Sequence, residues 1–325
     1  MMRHRNILWF IGIFVGLLVV PLIYSDPFFI RIITEAFMWI GLAITWDVIG
    51  GYAGRVNFGH GVFFGIGAYV TAILMTKGGW LFTLTLPMAG LGAGLVALVV
   101  GFPTLRLMGA YFAIAMWSLA LAFQQLALLL NITGGPDGMR MPAFLNPAFF
   151  FYIMLCTVAA SFALLWYLME RAPFGLKVGS IREDESGAMA LGLNPTKIKI
   201  QAFVLSAVPA GMIGGIYAYW ISYINPASVL GDIITDQAIV MAVFGGLGTL
   251  IGPAIGALIV FAFKTLFWAY LSSYQVLYLI ILGAVIAATV VFLPNGIWGT
   301  YLTYRKSKPL GSVIYKSVEG DNEHA

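Results

Sequence analysis

The sequence predicts an all-α, polytopic integral membrane protein with about eight to ten transmembrane helices, some of them broken or re-entrant. Apolar side chains make up 61% of the 325 residues and charged side chains only 9%, whereas soluble domains carry about 25% charged residues. The apolar residues also fall into runs of about 20, the length at which a helix crosses the hydrocarbon core. This composition excludes a soluble enzyme, a disordered chain and a nucleic-acid-binding protein.

Charges, prolines and glycine clusters mark the ends of the candidate spans. The runs lie near residues 7–24, 28–49, 58–76, 81–101, 109–130, 148–169, 199–222, 233–249, 251–268 and 274–293. The run at 233–249 is weak because it begins with Asp232 and Asp236 and ends in Gly-Gly-Leu-Gly. We therefore expect a broken or re-entrant helix there. The first run lacks the small-residue cleavage site of a signal peptide, so we expect a retained first helix.

Basic residues indicate the orientation of the chain. Three segments contain 11 of the 17 Lys and Arg residues: Arg3 and Arg5; Arg171, Lys177, Arg182, Lys197 and Lys199; and Arg305, Lys306, Lys308 and Lys316. By the positive-inside rule, we expect these segments and both termini on the cytoplasmic side of the cell (inner) membrane. Residues 1–303 would form the membrane domain, with a cytoplasmic loop at 170–199, and residues 304–325 a polar cytoplasmic tail.

The 170–199 loop predicts a short helix at about 182–191. Ser180 and Glu183 form a capping-box pattern, and Gly192 is a typical C-terminal stop. Asn194-Pro195 then starts the next span. Such a helix is either an ordinary connector or an element that docks into a partner. The residues assigned to this contact are Arg182, Glu183, Asp184, Glu185, Gly187, Ala188, Leu191 and Gly192.

The second unusual stretch, residues 50–67, contains seven glycines with Arg55, Asn57 and His60 among them. One interpretation is tight helix packing with hydrogen bonds across helices. The other is a broken helix end that lines a transport path, with Arg55, Asn57 and His60 as candidate path residues.

The third stretch, residues 245–256, places Gly248, Gly252 and Gly256 four residues apart. This spacing indicates close helix packing, with a hinge at Pro253 as the alternative. Gly211 and Gly215 suggest packing in the same way. Arg31 and Glu35, also four apart, are expected to pair on one helix face.

The sequence contains no pattern for a catalytic, metal or cofactor site. There is no His-Glu-x-x-His or Gly-x-Ser-x-Gly pattern, and no Gly-Lys dipeptide, so a nucleotide-binding P-loop is excluded. We therefore expect no enzyme activity in this chain.

Three motifs resemble the permease subunits of bacterial branched-chain amino acid ABC transporters, specifically the LivM-like branch. They are G-Y-A-G-R-V-N-F-G-H-G-V-F-F-G-I-G-A-Y at 51–69, S-I-R-E-D-E-S-G-A-M-A-L-G-L-N-P at 180–195 and F-G-G-L-G-T-L-I-G-P-A-I-G-A at 244–257. The resemblance covers about residues 30–300, and L-P-N-G-I-W-G at 293–299 also fits it.

The resemblance implies the membrane subunit of an ATP-driven importer. Its 180–195 motif matches the cytoplasmic loop that docks on the ATPase. The expected partners are cytoplasmic ABC ATPase subunits, a second related permease, an extracytoplasmic substrate-binding protein and the lipid bilayer. Urea and short-chain amide permeases share these motifs, so their substrates remain alternatives. The residues also leave a secondary transporter open, and an intramembrane enzyme is disfavoured by the missing catalytic pattern.

Overall fold

The computed structural model describes residues 2–24, 26–270, 283–284 and 296–307. Its helices are α1 (Met2–Ile23), α2 (Pro27–Asp47), α3 (His60–Thr76), α4 (Phe82–Thr104), α5 (Ala110–Leu129), α6 (Pro147–Trp166), α7 (Pro173–Glu183), α8 (Glu185–Ala190), α9 (Pro195–Ile221), α10 (Pro226–Leu230), α11 (Asp232–Gly245), α12 (Ile251–Tyr270) and α13 (Gly296–Ser307). The strands β1 (Met139–Arg140) and β2 (Tyr223–Ile224) pair antiparallel. The predicted all-α class is confirmed.

Six helical stretches of the described chain are long and apolar enough to cross a membrane: 27–52, 82–104, 110–129, 147–171, 195–221 and 226–245. Three shorter apolar helices lie at 14–23, 60–76 and 251–267. Each coincides with a predicted run, and the chain is a polytopic membrane protein. The last predicted run, 274–293, lies almost entirely outside the described residues, as does the predicted tail beyond residue 307.

Several helices begin at an Asp-Pro or Asn-Pro pair. The side chains of Asp26, Asn146, Asn194 and Asn225 each accept a hydrogen bond from a backbone N–H in the first turn of α2, α6, α9 and α10. The proline that follows is suited to the first helical position, because a backbone N–H at that position would have no hydrogen-bond partner within the helix. The predicted start of a span at Asn194-Pro195 is confirmed.

Helix α9 lies at the centre of the fold and packs against α3 and α4. Small residues allow this close approach, as predicted for Gly211 and Gly215. A Cβ at Gly215 would lie 2.5 Å from Thr71 Oγ1 on α3, and one at Gly211 would lie too close to Ala93 on α4. Larger side chains at either position would separate the helices.

Helix α2 ends in what we call the first glycine break, residues 48–59. A π-helical turn covers Val48–Tyr52, and residues 53–59 are not helical. His60, which starts α3, contacts Thr45, about two turns before the end of the π-turn. The chain therefore folds back along α2 before α3 begins. Protein encloses only part of this non-helical stretch: Asn57 is buried and its backbone carbonyl accepts a hydrogen bond from the Trp46 indole at 2.8 Å, whereas Gly54, Val56 and Phe58 are exposed.

The second glycine break, residues 246–250, separates α11 from α12. The 14-residue α11 ends at Gly245, so the run predicted at 233–249 is interrupted at its Gly-Gly-Leu-Gly end, as expected, while the short α10 lies before that run. Gly248 has φ +74° and lies between the helices, so its predicted place in a helical glycine stripe is wrong. Only Gly252 and Gly256 belong to α12, where Gly256 packs against Met241 and Gly245 of α11. Pro253 lies in the first turn of α12 and does not interrupt it.

The predicted Arg31–Glu35 pair is also wrong. The Glu35 carboxylate instead lies 3.7 Å from the Lys264 ammonium and accepts from the Trp39 indole at 3.3 Å. The Arg31 guanidinium lies 5.8 Å from the centre of the Trp220 ring. Tertiary packing of α12 and α9 beside α2 supplies partners that the spacing within α2 cannot reveal.

Candidate functional site

Residues 173–191 form two short helices, α7 and α8, which we call the two-helix segment. The predicted single helix at 182–191 with Ser180 as its cap is wrong. Helix α7 starts at Pro173, so Ser180 lies inside it and its hydroxyl donates to the Lys177 carbonyl at 3.0 Å. The extended backbone of Asp184 ends α7, and its carboxylate caps α8 by accepting from Ser186 N–H at 3.0 Å.

Glycine 192 ends this segment as predicted. Its φ of +81° lies in the left-handed region, which favours glycine after a helix. Its N–H donates to the Met189 carbonyl at 2.9 Å. The start of α7 at Ala172-Pro173 was not predicted. It carries the same signal as the predicted Asn194-Pro195 start, a proline at the first helical position.

The N-terminus of α8 is joined to the membrane helices by two ion pairs. Glu185 Oε2 lies 2.9 Å from Arg55 Nη2 in the first glycine break, and Glu185 Oε1 lies 2.7 Å from Lys199 Nζ on α9. Arg55 Nη1 also donates to the Leu107 carbonyl, between α4 and α5, at 2.7 Å. This cluster, which we call the Glu185 junction, therefore connects the two-helix segment with three other parts of the chain.

A second connection runs from the end of α7. Arg182 Nη1 donates to the Gly51 carbonyl in the first glycine break at 2.6 Å. The same guanidinium borders Gly248 in the second break, since a Cβ at Gly248 would lie 3.1 Å from Arg182 Nη1. The second break is also joined to the end of α2, because Asp47 Oδ1 accepts from the Gly248 N–H at 3.0 Å. Arg182 thus lies where the two-helix segment meets both breaks.

Several apolar side chains of the two-helix segment are exposed. Leu191 is 82% exposed, Leu176 is 79% exposed and Met189 is also exposed. Ala188, predicted with Leu191 to contact a partner, is 3% exposed and is buried within the chain itself. Arg182 and Glu183 are both exposed, although the Arg182 guanidinium donates to Gly51, and Glu185 is half-buried in its two ion pairs. The predicted contact residues therefore include exposed side chains as well as ones that are buried or bonded within the chain.

Gly187 has an internal role that the sequence did not indicate. A Cβ at this position would lie 2.6 Å from Asp184 Oδ2, within the carboxylate that caps α8. A side chain at Gly187 would therefore disturb the cap before it met any partner.

The three candidate path residues do not converge on one point. Arg55 is bound at the Glu185 junction. Asn57 Oδ1 accepts from the Gly59 N–H at 2.9 Å, ahead of α3. His60 Nε2 is hydrogen-bonded to Thr45 Oγ1 at 3.1 Å. Asn57 and His60 are both fully buried, and within the described chain Asn57 Nδ2 and His60 Nδ1 have no hydrogen-bond partner.

Lys199 is a further candidate functional residue, although its place in the sequence indicated only the orientation of the chain. Its side chain is 4% exposed, and Glu185 neutralises its charge.

The described residues contain no group of three or more His, Cys, Asp or Glu side chains arranged to hold a metal ion.

Comparison with known proteins identifies the family. The model of the family described as "Branched-chain amino acid transport system / permease component" matches residues 28–290. The chain belongs to this family. This permease is 30% identical to the high-affinity branched-chain amino acid transport system permease protein LivM of Salmonella typhimurium strain LT2, over 82% of its own length and 69% of that protein. LivM of Escherichia coli K12 gives the same identity and coverage.

A second relative is LivH of Escherichia coli K12, also a high-affinity branched-chain amino acid transport system permease protein. It is 27% identical to the permease over 288 residues, which cover 79% of the permease and 90% of LivH. No solved structure matches the permease. The family resemblance predicted from the three motifs is confirmed, and the chain is a transport permease component.

Proposed function

We propose that this permease is the membrane subunit of an ATP-binding-cassette importer that moves branched-chain amino acids into the cell. The family match over residues 28–290 carries the proposal. ATP would be hydrolysed by separate cytoplasmic subunits, because the sequence has no nucleotide-binding motif. A second, related permease and an extracytoplasmic substrate-binding protein would complete the complex.

The two-helix segment supports docking of the ATPase subunit. Leu176, Met189 and Leu191 expose apolar side chains on a segment outside the long apolar helices. Exposed apolar side chains on short helices are suited to a partner's groove. The docking surface would therefore contain these three residues with Glu183 at its edge. This segment and both termini would face the cytoplasm, in agreement with their Lys and Arg content.

The first glycine break supports a route for the substrate beside α2 and α3. Buried polar groups in membrane helices are costly, and they often mark substrate paths. Asn57 and His60 place two buried, unpartnered nitrogen atoms at this break. We therefore assign these two residues to the path and exclude Arg55, whose guanidinium is engaged by Glu185 and Leu107.

The energy source is tested by reconstituting the permease with its genomic neighbours in proteoliposomes. Leucine uptake should require ATP and should persist when the proton gradient is collapsed. Uptake that continues without ATP but stops with the gradient would indicate a secondary transporter and overturn the proposal. Competition by isoleucine and valine, compared with urea and acetamide, identifies the substrate class.

The docking surface is tested with matched leucine variants. Leu191→Ser should weaken co-purification of the ATPase subunit, because it removes a large apolar contact. Leu145→Ser is the control, since Leu145 is even more exposed than Leu191, at 95% against 82%, but lies in the loop before α6. Equal ATPase binding by the two variants would contradict docking through this surface.

A further inference from the structure

Glu185 is the one carboxylate at which two cations from different elements meet in the described chain. Arg55 belongs to the first glycine break and Lys199 to α9, and each approaches a separate oxygen of Glu185. Lys197, two residues earlier on α9, is exposed and has no such contact. Of these two lysines of α9, only Lys199 therefore forms an ion pair with the two-helix segment.

Burial makes this junction resistant to partial opening. The Lys199 side chain is 4% exposed, the Arg55 side chain 13% and the Glu185 side chain 23%. A buried cation that loses its only carboxylate is strongly disfavoured. Displacement of α8 without α9 would therefore leave Lys199 buried and without its carboxylate, which favours movement of the two helices together.

The junction also fixes the angle of the two-helix segment. Glu185 is the first residue of α8, and Arg182 precedes the end of α7 by one residue. Both helices are thereby attached to the first glycine break, α8 through Arg55 and α7 through Gly51. Two attachments on either side of Asp184 prevent the segment from pivoting about a single contact.

We propose that Arg55 and Lys199 are positioning residues that act through Glu185, so that movement of the two-helix segment is passed to the first glycine break and to α9 together. The proposal rests on the proposed function, because it assumes that an ATPase moves this segment. It assigns Arg55, Glu185 and Lys199 to force transmission inside the permease, while Leu176, Met189 and Leu191 form the contact with the partner.

The test uses the assembled complex of the permease with its ATPase subunits, partner permease and binding protein. The measured quantity is ATP hydrolysis with leucine-loaded binding protein divided by hydrolysis without it. Glu185→Gln, Arg55→Gln and Lys199→Gln should each lower this ratio by about tenfold, while the ATPase subunit still co-purifies. Lys197→Gln, which removes an exposed charge from the same helix, should keep the wild-type ratio.

Non-additivity separates transmission from simple loss of structure. If Arg55 acts through Glu185, the double variant Arg55→Gln, Glu185→Gln should be no worse than Glu185→Gln alone. Losses that multiply would show independent roles and overturn the proposal. An unchanged ratio in the single variants, or a loss of complex with a normal ratio in what remains, would also overturn it.

Two further arms keep the outcomes distinct. If the glutamine variants do not accumulate, Arg55→Lys and Glu185→Asp keep the charges but displace the contacting atoms, and they should still lower the ratio. Wild-type permease that binds no ATPase would overturn the proposed function itself. A wild-type complex that is coupled, with variants that are equally coupled, would overturn only the transmission by this junction.

Discussion

Asp47 Oδ1 accepts a hydrogen bond from the Gly248 N–H at 3.0 Å, although 201 residues separate the two in sequence. Asp47 is the last residue of α2 and is fully buried, and Gly248 lies in the turn between α11 and α12. The bond therefore ties the end of one helix to the second glycine break. A buried carboxylate in this position needs such donors, because burial without them is costly.

Asp47→Ala should destabilise the permease. It leaves the half-buried Gly248 N–H without its acceptor, and an unsatisfied donor costs up to about 1–3 kcal/mol when it is shielded from water. Thermal unfolding in detergent measures the effect. Asp47→Asn is the control, because its amide oxygen can still accept from Gly248. Equal unfolding temperatures for Asp47→Ala and wild type would contradict this assignment.

Gly51→Ala should also destabilise the fold, by about 1–3 kcal/mol. A Cβ at Gly51 would overlap the Asp47 carboxylate and the Gly248 nitrogen, so α2 and the second break could no longer approach each other. Gly179→Ala on α7 is the matched control, because nothing lies within 4 Å of its added Cβ. Gly179→Ala should be neutral or slightly stabilising, and parallel losses from both variants would refute the packing argument.

Much of the fold follows from local sequence signals. Apolar runs of about 20 residues can satisfy their backbone only as helices in a membrane, which is why the predicted spans coincide with helices. Asn194-Pro195 and Gly192 fix a start and a stop by chemistry within a few residues. The interruption of the run at 233–249 was also predicted from a local signal, its Gly-Gly-Leu-Gly end.

The candidate site was harder to predict because its contacts are distant in sequence. Arg55 and Glu185 are 130 residues apart, and Arg182 and Gly51 are 131 apart. No feature of the sequence near either residue of these pairs indicates which partner it contacts. The prediction of Ser180 as a cap was wrong for a different reason. Both Pro173 and Ser180 can mark the start of a helix, and the helix that starts at Pro173 contains Ser180.

The corrected cap of α8 can be tested directly. Asp184→Ala should expose the amides of residues 185–190 to faster hydrogen exchange, because loss of an N-cap costs about 1 kcal/mol. Ser180→Ala should leave their exchange unchanged, since its hydroxyl bonds only to Lys177 within α7. The reverse result, with Ser180→Ala as the damaging change, would restore the cap that the sequence suggested.

The two ring nitrogens of His60 allow structural and transport roles to be separated. Nε2 bonds to Thr45, whereas Nδ1 is buried without a partner in the described chain. His60→Gln can keep a polar atom near the Nε2 position, and His60→Asn one near the Nδ1 position. If Nδ1 serves the substrate path, His60→Gln should retain stability but lose leucine uptake. His60→Asn should lose about 1 kcal/mol of stability with the Thr45 bond but retain more uptake.

Uptake is measured relative to the amount of permease in the membrane, and stability is measured by thermal unfolding. Uptake that instead follows stability in both variants would make His60 a packing residue and remove it from the path.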